Sequence, residues 1–178
     1  KLDDVVLPST VTTMGRGAFE GCTSLTNIEL DEGLTTIGMY AFRNCTSLES
    51  LTLPESVTKL GARFIQGTAI TEITIPKNVT KMHNDTNDTY GDGTEGGDTK
   101  VGVNLESALV GAASLKKVIF AEGMVTIPYM AAQGNTSITE IVIPDSVTTI
   151  GTYAFNGCSG LPEVQLNEGL ISIYAYAF

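Results

Sequence analysis

The chain has 178 residues, 42% of them apolar, which is enough for one ordinary domain with a continuous core. Its 20 acidic residues against 10 basic ones give a net charge of −10, which repels phosphate backbones and anionic membrane surfaces and argues against nucleic acid as a partner. Its apolar runs are only a few residues long, against the roughly eighteen that a spanning helix requires, so no membrane insertion is expected.

Taken in chain order, the sequence repeats itself with a period of 23 residues. The first unit opens at Leu2, turns at Pro8 and carries Phe19 and Cys22. The second displays the pattern in full: Leu25-x-x-Ile28-x-Leu30, a corner, then Leu34-x-x-Ile37-Gly38-x-x-Ala41-Phe42-x-x-Cys45. A third starts at Leu48 and is one residue short; a fourth starts at Ile70 and is interrupted by an insertion loop at 84–105. Further units start at Leu115, Ile138 and Leu161, the last stopping at Phe178, which makes seven coils of a single solenoid.

The spacing has a physical reading. Ile28 and Leu30 alternate as in a strand and face inward, while Leu34 and Ile37 lie three apart beyond a corner. One coil cannot cover its own apolar face, but coils stacked about 4.8 Å apart bury that face against both neighbours. One ladder so formed contains Phe19, Phe42, Ile65, Leu109, Ala132, Phe155 and Phe178. The corner after the strand is made by Pro8, Pro54, Pro76 and Pro144, which fix φ, or by Gly33, Gly123 and Gly169, where positive φ is expected.

Written out, the unit L-x-x-I-x-(I/L)-P-x-x-V-x-x-I-G-x-x-A-F-x-x-C closely resembles the BspA-like branch of leucine-rich repeats, with its best copy at Ile138 to Gly160. The resemblance implies right-handed coils with a parallel β-sheet on the concave face and short turns or helical segments on the other side. It also implies a secreted or surface-anchored bacterial parent protein that binds host proteins, such as matrix or plasma proteins, or other cells. Pro128 and Ala132 depart from the family pattern in the fifth unit. No polar cap closes either end, so end-to-end self-association is expected.

The candidates for chemistry are few. Cys22, Cys45 and Cys158 share one place in the unit and read as small buried hydrophobes; Cys22 and Cys45 are near enough for a disulfide, but parallel side chains disfavour one. His83 stands where the template has glycine and reads as a turn residue, with no nucleophile marked as its partner. In the insertion, Asp85, Asp88 and Asp92 on a glycine-rich loop are a weak calcium candidate, since the EF-hand pattern fails there. The segment from Asn104 to Leu109 reads as a short helical return. No cofactor site and no catalytic constellation are read, so an enzyme-associated domain is a distant alternative.

What the sequence does expose is a strand face. Side chains that alternate away from the core form two rows, one with Glu72, Lys117 and Glu140, the other with Thr74, Ile119 and Val142. Ile119 and Val142 beside charged neighbours make an apolar spot with a charged rim, the makeup of a contact surface. The reading is a non-catalytic protein-interaction module at the cell surface, with a structural spacer as the alternative.

Overall fold

The computed structural model describes residues 1–83 and 105–178. It is built from short strands: β1 (Asp4–Val6), β2 (Thr13–Met14), β3 (Asn27–Glu29), β4 (Thr36–Ile37), β5 (Lys59–Leu60), β6 (Glu72–Ile75), β7 (Lys117–Phe120), β8 (Thr126–Ile127), β9 (Glu140–Val142), β10 (Thr149–Ile150) and β11 (Ser172–Ile173). Every pairing between them is parallel, and successive turns of the chain lie side by side as a solenoid. One line of strands runs β1-β3 and then β6-β7-β9; a second runs β2-β4-β5 and then β8-β10-β11. The sequence period is the pairing register: Asp4 faces Asn27, Thr13 faces Thr36 and Lys117 faces Glu140. Glu72 faces Lys117, further along the chain than one period, because residues 84–105 are inserted between them in the sequence.

Two devices bind the turns to one another at their edges. Threonine hydroxyls donate to the carbonyl of the residue one turn earlier, as in Thr35 to Thr12, Thr58 to Thr35 and Thr139 to Lys116. The threonine pairs at Thr35-Thr36 and Thr148-Thr149 thus serve the second line of strands. At one corner, the Glu32 carboxylate accepts the backbone amides of Glu55 at 3.2 Å and Ser56 at 3.1 Å, satisfying donors that the turn leaves free.

The core is a single continuous cluster. Ile37, Phe42, Leu60, Ile65, Leu109, Ile127, Ala132 and Ile150 are fully buried in it. Phe19 and Phe42 stack with ring centroids 5.7 Å apart, and Phe155 meets Phe178 at 5.6 Å. Phe178, at 51% exposed, is nonetheless an edge residue, and Phe19 is only half-buried, because each has a neighbouring turn on one side alone among the described residues.

Three details differ from expectation. Leu105 to Leu109 form no helix: Ser107 instead makes an antiparallel bridge to His83, and a turn follows. Gly33 and Gly169 do not adopt positive φ, although Gly123 does at 89°. At Gly33 the demand is space, since a Cβ there would lie 2.2 Å from the Ser9 carbonyl oxygen of the turn before. Left-handed backbone occurs elsewhere, at Gly21, Asn44, Gly67, Gly111, Gly134 and Gly157, and also at Tyr40, Arg63, Met130, Tyr153 and Tyr176 with φ between 54° and 60°.

Candidate binding face

The six residues of the strand face come together on the β6-β7-β9 sheet. Glu72, Lys117 and Glu140 stand in one row and Thr74, Ile119 and Val142 in the next, each set in direct register. Alternation places Ile73, Val118 and Ile141 on the opposite, buried side. Lys117 Nζ lies 3.0 Å from Glu140 Oε1 and 3.8 Å from Glu72 Oε2, so a single ammonium is shared between the carboxylates of both neighbouring strands. The hydrogen bond from Lys117 to Glu140, followed by the charge of Glu140, raises the Lys117 pKa above the ordinary lysine value. Val142 is exposed, whereas Ile119 is half-buried, held down between strands on both sides.

Beside β9 the ladder opens. In three earlier turns a carbonyl at the strand entrance accepts two amides of the following turn: Asp3 from Thr26 and Asn27, Thr71 from Lys116 and Lys117, Lys116 from Thr139 and Glu140. The matching carbonyl of Thr139 faces Pro162, which has no N–H to give. Among the described residues no donor reaches it, and Glu163 to Gln165 form no strand. A groove of about 430 Å³ results, bordered by Thr139, Glu140 and Val142 on one side and by Pro162, Glu163 and Gln165 on the other. The sequence reading missed this groove, although its signal was present as a proline where the other units carry aspartate, threonine, glutamate or lysine. A second groove, of about 480 Å³, lies between Phe155, Cys158, Leu161, Leu166 and Phe178.

The remaining candidates are accounted for separately. Cys45 and Cys158 are buried and Cys22 half-buried, and all three are free thiols. Cys45 Sγ lies 3.0 Å from the Phe19 carbonyl and Cys158 Sγ 3.2 Å from that of Ala132, so these thiols act as donors between turns. Burial pushes each thiol pKa up to about 11, helped at Cys45 by the neighbouring Cys22. His83 packs edge-on against Tyr129, with ring centroids 5.2 Å apart. Asp85, Asp88 and Asp92 lie outside the described residues.

A repeating core, parallel pairing at the repeat period and thiol donors between turns together specify one architecture, and comparison with known proteins names it. Residues 1–89 and 106–178 match the BspA type leucine rich repeat region in 6 copies. The chain belongs to this family. Its fold is similar to that of a leucine-rich repeat protein from Eubacterium ventriosum, with 22% identity, a TM-score of 0.68, and 100% of this chain and 42% of that one covered. It is also similar to the leucine rich repeat protein of T. pallidum, at 27% identity and a TM-score of 0.60 over 90% of this chain and 65% of that one. The pneumococcal vaccine antigen PcpA is a further likeness, at 19% identity and a TM-score of 0.54, with 83% of this chain and 29% of that chain covered. The BspA-type chain therefore spans less than two thirds of each of these solved proteins. No curated protein matches it in sequence. No described helix is long and apolar enough to cross a membrane.

Proposed function

We propose that this BspA-type repeat chain is a non-catalytic protein-binding module of a secreted or cell-surface bacterial protein, engaging proteins of a host or of another cell. The observation that carries the reading is the in-register face of β6, β7 and β9, where Ile119 and Val142, next to Thr74 in the same row, form an apolar spot beside the charged row Glu72–Lys117–Glu140. A flat patch with an apolar centre and charged rim suits a protein partner, and a parallel solenoid holds it rigid without cost at the moment of binding. The partition into seven coils from Leu2 to Phe178, interrupted at 84–105, belongs to the same proposal, as does end-to-end association through the apolar groove at Phe155 and Phe178.

One observation favours a spacer instead: Lys117 is already neutralised by its own neighbours, which leaves that row with little to offer a partner. Surface plasmon resonance against a panel of matrix and plasma proteins, with and without calcium, separates the two. Saturable binding abolished by Ile119→Asp supports the module; silence across the panel supports the spacer. Light scattering that stays monomeric at rising concentration rejects self-association.

A further inference from the structure

We infer that the groove beside β9 is the docking seat of an extended polypeptide segment that carries a basic side chain flanked by aliphatic ones. The inference rests on the protein-binding reading above and names both the place and the chemistry of the partner.

Three independent features converge at this place. The first is backbone. Thr139 keeps a carbonyl oxygen that, at Asp3, Thr71 and Lys116, accepts two amides of the next turn, and Pro162 withholds that donor. Threonine at the same place also donates its hydroxyl, as Thr26 does to Asp3 and Thr139 does to Lys116, and Pro162 removes this bond as well. The result is a strand edge with unmet acceptor capacity, the feature that an added strand satisfies. The second is shape: the groove of about 430 Å³ lies along this edge, and is not simply a flat patch over it. The third is charge. Glu140 and Glu163 stand on opposite sides of the groove, on a chain of net charge −10.

Each feature selects one aspect of the occupant. A backbone amide is needed for the Thr139 carbonyl, and an extended conformation presents amides along an edge at strand spacing. Side chains of such a segment alternate, so those on the outer face meet Glu140, Val142 and Glu163 while those on the other face turn toward Ile141 and Ile143. Glu140 already binds Lys117, which leaves Glu163 the stronger electrostatic attractor, and only a cation complements it. An acidic segment meets repulsion from both rims. The ladder also breaks at residues 49–53, where nothing in the structure explains it; Glu49 stands there in the place of Pro162, and no carboxylate pair spans that break.

The test uses a fluorescein-labelled heptapeptide of alternating valine and lysine, titrated with this chain and read by fluorescence anisotropy. A valine–glutamate peptide of equal length is the comparison. Saturable binding of the lysine peptide, with none of the glutamate peptide, is the expected result. Glu163→Gln weakens binding by about threefold, the usual loss for one partly exposed ion pair. Pro162→Thr restores both donors, zips the missing ladder and lowers affinity by about tenfold or more, while the melting temperature rises. That rise excludes unfolding as the cause of lost binding. Glu29→Gln, on β3 and outside the groove, leaves peptide affinity within about twofold.

Equal binding of both peptides, or wild-type affinity in Pro162→Thr, overturns the inference. A protein partner from the panel that is lost with Ile119→Asp but unaffected by Pro162→Thr also overturns it and leaves the binding-module reading standing. Peptide binding lost with Pro162→Thr, in a chain that binds no panel protein, upholds the groove and removes the proposed partner class. Concentration-dependent dimers abolished by Pro162→Thr assign the groove to a second copy of the chain and overturn the peptide assignment.

Discussion

The Asn135 side chain donates to the Leu109 carbonyl at 2.8 Å, and one turn later Cys158 takes the equivalent place, with its sulfur 3.2 Å from the Ala132 carbonyl. Cys45 does the same toward Phe19. The cysteine of the repeat is thus a buried donor between turns, and asparagine substitutes for it because it also donates. Asn135 does more: its Oδ1 accepts the amides of Ser137 and Ile138, and Nδ2 also reaches the Ala112 carbonyl. Asn135→Ala strands several buried groups and is expected to cost about 2–4 kcal/mol by urea denaturation. Asn135→Cys, which keeps one donor, costs less. Equal losses for the two variants would contradict the donor role.

Phe42 stacks on Phe19 and Phe178 meets Phe155 at a tilt in the same ladder, but Phe42 is fully enclosed and Phe178 half open. Phe42→Ala should cost about 3–5 kcal/mol, within the range for truncating a buried aromatic, and Phe178→Ala well under half of that. Thermal melts followed by circular dichroism distinguish them. An unchanged melting temperature in Phe42→Ala would remove this residue from the core.

Glycine at Gly61 answers a demand for space. A Cβ there would stand 2.3 Å from the Met39 amide nitrogen, and at Gly38 it would stand 2.7 Å from the Gly15 carbonyl carbon. The obstacle is backbone, which cannot rotate aside, so Gly61→Ala must push neighbouring turns of the solenoid apart. The expected cost is about 2 kcal/mol or more, comparable with overpacking a core. A melt within a degree of the parent protein would show that the turns separate freely.

The thiols provide a pH test with a definite sign. Cys45 and Cys158 hold their protons up to about pH 11 in the fold, against an ordinary value near 9. Between those values the folded chain binds more protons than the unfolded one, so the thiol contribution to stability is whole below pH 9 and is lost as pH rises toward 11. At pH 8.5 iodoacetamide should alkylate half-buried Cys22 first, with the other two about a hundredfold slower until the chain unfolds. Mass spectrometry of partly labelled protein reads the order directly. Alkylation of Cys158 as fast as Cys22 would contradict the burial.

How far the sequence disclosed these features depends on whether a feature repeats in side chains. The stacking of Phe19 on Phe42 was legible because each turn restates an apolar residue at that place, and the rows through Lys117 and Ile119 were legible because the apolar alternation that flanks them recurs at the same period. Left-handed backbone at Tyr40, Arg63, Met130, Tyr153 and Tyr176 was not, since glycine marks that place of the unit only once, at Gly17. The neighbours supply the compensation: Tyr153 and Tyr176 stack at 5.1 Å, and Arg16 and Arg43 sit over the Tyr40 ring at 5.3 and 4.8 Å. Such contacts are made between turns and follow no fixed residue type. The groove beside β9 was hidden for a related reason, because Pro162 acts by the absence of a bond.

Those missing bonds lead to a prediction about motion. Amides of β6 and β7 belong to a continuous ladder, and Ile73 and Val118 are buried on its inner side. Residues 49–53 make no backbone bond to either neighbouring turn among the described residues, and the same is true of Glu163 to Gln165. Burial of Leu51 and Leu53 shields side chains but leaves amides without the acceptors that slow exchange. In hydrogen–deuterium exchange, Ser50, Leu51 and Thr52 should therefore exchange at least about tenfold faster than Ile73 and Val118, at a temperature where the fold is intact. Pro162→Thr should slow Glu163 alone of these groups, since it repairs one break and leaves the other open. Uniform protection across the strand face would mean that the two breaks close in solution, and the groove beside β9 with them.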